Sequence, residues 1–73
     1  MTKTVYRVFH LDPTCRIARR TRGYNDFDTL PEAIKYRNEA KNYCDKYIDV
    51  VLKAFNEETF RYAETTMDSI KVD

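Results

Sequence analysis

Thr4-Val5-Tyr6-Arg7-Val8-Phe9-His10-Leu11 is rich in β-branched and aromatic residues and reads as a strand. Asp12-Pro13-Thr14 follows as a turn. Pro13 presets φ for its second position, and Asp12 can accept a hydrogen bond from the backbone two residues on. Cys15-Arg16-Ile17-Ala18-Arg19-Arg20-Thr21-Arg22 then reads as a returning strand, with Leu11 opposite Cys15, Phe9 opposite Ile17 and Val5 opposite Thr21. Side chains alternate faces along a strand. The odd positions (Val5, Phe9, Leu11, Cys15, Ile17) therefore form the expected core face, apolar except for Arg7 and Arg19. The even positions (Tyr6, Val8, His10, Arg16, Ala18, Arg20, Arg22) form a basic and aromatic face.

Downstream, residues 23–28 read as a loop, with Gly23 the only residue that takes positive φ freely. Thr29-Leu30-Pro31-Glu32 has the form of a helix start. Thr29 can cap the first turn, Glu32 can bond back to it, and Pro31 falls where a missing N–H had no helical partner. The apolar spacing of Leu30, Ala33, Ile34, Ala40, Tyr43, Cys44 and Tyr47 predicts a helix to about Lys46. Arg37 falls within that stripe, its stem expected to pack and its head to reach water. Residues 48–55 predict a strand, with Ile48, Val50, Leu52 and Ala54 on one side and Asp49, Val51, Lys53 and Phe55 on the other. Asn56 to Thr59 is a turn, Phe60 to Thr66 a fourth strand, and residues 67–73 an end expected to fray or extend briefly. The expected architecture is a single α+β domain over residues 1–73 with the order ββαββ. One helix packs on one face of a four-stranded, mostly antiparallel sheet. The other face carries Tyr6, Val8, His10, Arg16, Arg20, Val51 and Phe55.

Seventy-three residues build a thin core. No apolar run approaches the roughly 18 residues of a membrane helix, and the first residues contain no apolar signal-peptide core, so a cytoplasmic location without membrane contact is expected. Cys15 and Cys44 are expected as free thiols in or near the core. The formal charge is +1, unevenly spread. Residues 1–24 hold six basic side chains against one acidic and residues 25–73 seven against eleven, or +5 and −4. Such a split points to a charged partner.

No catalytic set is legible. His10 is the only histidine, and by parity it projects away from Cys15, so the pair reads as a surface histidine and a core cysteine. Two distant cysteines and one histidine do not make a zinc site. Asn25-Asp26-Phe27-Asp28 lacks the Gly and distal Glu of a calcium loop and reads as a loop and helix cap. A single Gly excludes a phosphate loop. No enzyme activity, cofactor or metal is expected.

The arginine strand is the strongest chemical feature. Arg16, Arg20 and Arg22 share a face with Tyr6 and His10. Such a surface suits an acidic protein, since exposed Arg and Tyr are enriched at binding hot spots. It also suits nucleic acid, through phosphate contacts and base stacking, although the aromatic motifs of the common RNA-binding sheet are absent and the pI is about 7.7. A third reading is an edge strand kept soluble by charge. Six tyrosines, Tyr36 among them off the helix stripe and Tyr24 and Tyr62 expected to be exposed, add contact surface, including for a second copy of the chain. In length, charge and lack of a catalytic set the chain resembles the small accessory proteins of bacteriophages and prophages. Many of those are single α/β domains that bind and block one host protein, so the resemblance implies an inhibitor or regulator and carries over no functional residue. The expectation is a non-enzymatic protein-binding module that uses Tyr6, His10, Arg16, Arg20, Arg22 and Tyr36, with nucleic-acid binding as the alternative.

Overall fold

The computed structural model describes residues 1–12 and 21–72. Its elements follow in the expected order: β1 (Thr2–Leu11), β2 (Thr21–Phe27), α1 (Leu30–Glu39), β3 (Cys44–Asn56) and β4 (Arg61–Lys71). All neighbouring strands are antiparallel and the sheet order is β2-β1-β3-β4. The helix α1 packs over β1, β2 and β3. The fold is α+β with the ββαββ order.

Local chemistry sets both ends of α1. Thr29 is extended at φ −130° and its Oγ1 accepts from the Glu32 amide at 3.4 Å. The same hydroxyl donates to Glu32 Oε1 at 2.8 Å, so Glu32 closes on the cap through its side chain. The helix ends at Ala40, well short of the expected Lys46. Spacings of three and four do not distinguish a helix from the start of a strand here. Cys44 and Ile48 bury themselves as residues of β3, where they pair with His10 and Val8. Arg37 is buried with its stripe, head included: Nε donates to the Asp45 carbonyl at 3.4 Å and Nη1 to Asn38 Oδ1 at 3.3 Å.

Two further expectations are corrected. Of the expected second strand 15–22 only Thr21 and Arg22 are described, and their register against β1 is not the expected one. Residues 13–20 lie outside the described residues, and β2 begins at Thr21, which pairs with Leu11; Tyr24 pairs with Phe9 and Asp26 with Arg7. The stretch expected as a loop is thus most of β2. Face parity of β1 is also reversed. Val8 is fully buried in a cluster with Ala33, Cys44, Ile48 and Val72, and Tyr6, Phe27, Leu30, Ile34, Tyr36 and Ala40 pack against it. The face of Tyr6, Val8 and His10 therefore lies under α1. Val5, Arg7 and Phe9 lie on the helix-free face. The physical reason is Arg7, whose guanidinium finds carboxylates on that side (below), while Val8 loses nothing by burial. Along β3 the expected split holds. Ile48 and Val50 pair with Val8 and Tyr6 on the α1 side, and Val51 pairs with Val5 on the other.

β4 runs through the residues expected to fray. Met67 is a bulge, since Val50 pairs with Asp68 and Val51 with Thr66. Val72 is buried in the core cluster and donates its amide to the Lys46 carbonyl at 2.7 Å. Among the described residues no helix is long and apolar enough to cross a membrane.

Ile48 is 0% exposed at the centre of this cluster. Ile48→Ala should cost about 3 kcal/mol of stability, and Thr29→Ala about 1 kcal/mol by loss of the cap, both read from urea midpoints.

A candidate docking face on the helix-free side of the sheet

Four charged side chains, one per strand, meet on the helix-free face. Arg7 of β1 forks onto Asp26 of β2, with Nε to Oδ1 at 2.8 Å and Nη2 to Oδ2 at 3.0 Å. Arg7 Nη2 also donates to Glu64 Oε2 of β4. Lys53 of β3 stands between the carboxylates, its Nζ 3.0 Å from Asp26 Oδ2 and 3.9 Å from Glu64 Oε2. The tyrosine ring of Tyr24 covers the guanidinium, with Arg7 Cζ 4.0 Å from its centroid. Two basic and two acidic groups leave no formal charge. The bidentate geometry uses what only arginine offers.

Hydrogen bonds from Arg7, and secondarily from Lys53, hold the Asp26 carboxyl below its ordinary range, against the opposing effect of burial. The Arg7 guanidinium is held more firmly protonated, chiefly by Asp26.

Aromatic and apolar groups flank the quartet. Phe55 packs on Tyr62 across the β3–β4 pair with ring centroids 4.9 Å apart, and on Phe60 at 6.4 Å. Phe60 and Tyr62 are 80% and 70% exposed, against 49% for Tyr24. With Met1, Lys3, Lys53 and Glu64, the rings of Tyr24, Phe55 and Tyr62 line an open groove of about 600 Å³. Phe60 has a φ of 55°, in the left-handed region that a bulky residue rarely enters. The turn before it is held by Asn56 Oδ1, which accepts from the Glu58 and Thr59 amides.

The four described residues among those expected to form the site, Tyr6, His10, Arg22 and Tyr36, fall elsewhere. Tyr6 packs against the core cluster. His10 Nε2 lies 2.8 Å from the Tyr36 hydroxyl, and Tyr36 stacks near Phe27 at 5.1 Å, so Tyr36 belongs to the packed layer under α1. Arg22 is exposed and borders a shallow hollow on the α1 side with His10, Tyr36, Tyr43 and Cys44. The structure thus brings His10, Arg22 and Tyr36 together, on the side opposite the quartet. Arg16 and Arg20 lie outside the described residues. Phe55 was expected on the open face and Tyr62 as an exposed contact ring; Phe60 was not singled out, although the hairpin reading of residues 48–66 set it close to both. Cys44 is a buried free thiol whose pKa is pushed up by burial. Among the described residues no group of His, Cys, Asp and Glu is arranged to hold a metal ion.

No family model, no curated protein and no solved structure matches this chain.

Because the Asp26 pKa is depressed in the folded state, its contribution to stability is present above the unfolded carboxyl value and is lost as pH falls through the lower folded value. Stability should therefore fall on acidification below about pH 4. Arg7→Gln should remove about 2 kcal/mol at neutral pH and flatten that acid limb, as urea unfolding across a pH series would show.

Proposed function

We propose that the protein is a non-enzymatic protein-binding module that docks its partner on the helix-free sheet face. The observation that carries this reading is the aromatic group in which half-buried Phe55 supports exposed Phe60 and Tyr62, beside a charge-neutral quartet. Exposed rings of this kind supply contact area at little entropic cost, which is why aromatics dominate interface hot spots. The positive φ of Phe60 supports it. A left-handed conformation costs a non-glycine residue roughly 1 kcal/mol, and a highly exposed ring gives little back to the fold. Arg7 and Lys53, the basic groups of the quartet, are both engaged by carboxylates, which favours a protein partner over phosphates. A role in inhibiting or regulating a host protein follows from the resemblance to phage accessory proteins.

A photo-crosslinking side chain at Tyr62, with one at Lys35 on the outer surface of α1 as control, tests the face in bacterial lysate. One dominant adduct at Tyr62 with a protein other than this chain, resistant to nuclease and absent at Lys35, is expected. The same adducts at both positions would refute the docking face, and nuclease-sensitive adducts would replace the reading with nucleic-acid binding. Phe60→Gly should leave stability unchanged or raise it by up to about 1 kcal/mol while weakening the Tyr62 adduct.

A further inference from the structure

β4 is open on three sides. Its inner edge pairs with β3 and its outer edge is the last of the sheet. The helix rests on β1, β2 and β3, which leaves the α1-side surface of β4 outside its footprint. Every residue of the strand is exposed except the half-buried Ile70. An 11-residue strand without proline, bare along one edge among the described residues, is a template for another strand. Natural sheets shorten, cover or pair such edges. The charges and the single bulge at Met67 blunt this one only in part.

The charges of β4 indicate the occupant. Arg61 and Asp68 lie on the α1 side, opposite Asn56 and Val50; Glu64 and Lys71 lie on the other, opposite Lys53 and Tyr47. A two-fold axis perpendicular to the sheet keeps each face on its own side, so like-faced residues must meet. With Met67 passed over as the bulge, a register centred on Glu64 sets Arg61 of each copy opposite Asp68 of the other. Tyr62 then meets Thr66, and Ala63 meets Thr65. Glu64 meets itself at the axis, where each carboxylate is already held by Arg7 and approached by Lys53. The other charge-matched register, Lys71 to Glu64, would set Asp68 against Asp68, a group whose bond is to the Ser69 amide. The first register is the better one.

We infer that β4 pairs antiparallel with β4 of a second copy of this chain, making one continuous eight-stranded sheet with two Arg61–Asp68 ion pairs across the junction. This inference stands apart from the docking face and does not depend on it.

Sedimentation equilibrium of the full chain over a wide concentration series should show twice the 8.8 kDa mass. Arg61→Glu and Asp68→Arg, singly, should each weaken the dimer about tenfold, because opposite-charge pairs become like-charge pairs. The double variant should restore it. Hydrogen exchange supplies a second readout without mutation: β4 amides should be protected in the dimer and lose protection on dilution. A chain that stays monomeric throughout, a dimer that ignores both single substitutions, or β4 amides equally labile at every concentration would overturn the inference. Loss of the Tyr62 adduct with the dimer intact would count against the docking face alone.

Discussion

Arg7 joins the sheet. It stands on the inner strand β1 yet holds carboxylates on both edge strands, Asp26 of β2 and Glu64 of β4. Strands lie about 4.8 Å apart, so a reach from β1 past β3 to β4 needs the longest side chain available, and a fork is needed to hold two partners at once. At 8% exposure Arg7 is largely removed from water, and an uncompensated charge there would be strongly unfavourable. Asp26, Glu64 and the Tyr24 ring make its position tolerable. The same requirement decides which side of β1 receives the helix. With Arg7 committed to one face, Tyr6, Val8 and His10 must take the other, and α1 can close only over them.

This explains where sequence reasoning succeeded and where it did not. The α1 start was legible because Thr29, Pro31 and Glu32 act within one turn. The two faces of β3 were legible because Ile48-Asp49-Val50 alternates plainly. β1 was ambiguous by composition: Val5 and Phe9 are as apolar as Tyr6 and Val8, and only distant partners break the tie. β2 was hidden for a related reason. Gly23-Tyr24-Asn25-Asp26 has the composition of a turn, and it is a strand because Asp26 meets Arg7, Tyr24 meets Phe9 and Phe27 reaches Tyr36. Nothing local announces those contacts. The last two turns of the expected helix were lost as Cys44 paired with His10, again a contact distant in sequence.

The candidate site moved with the parity. The open face was expected to be basic, from arginines of which Arg16 and Arg20 lie outside the described residues and Arg22 lies on the α1 side. What the described face holds instead is a neutralised quartet with aromatic rings at its side. A surface of that kind discriminates by shape and ring contact more than by attraction at a distance, and its association would be only weakly sensitive to salt.

The place of β1 in the sheet also bears on how the chain folds. β1 is flanked by β2 and β3, and its first residue, Thr2, pairs with Ala54. β1 therefore finds β3 only after the 32 residues that separate Leu11 from Cys44 have been made. The β3–β4 hairpin closes a short loop and can form early, whereas docking β1 beside it carries the entropy of a long closure. During that interval Val5-Tyr6-Arg7-Val8-Phe9 presents an unpaired β-rich edge to its surroundings, which makes the first strand, buried though it becomes, the segment most open to misassociation before the fold is complete.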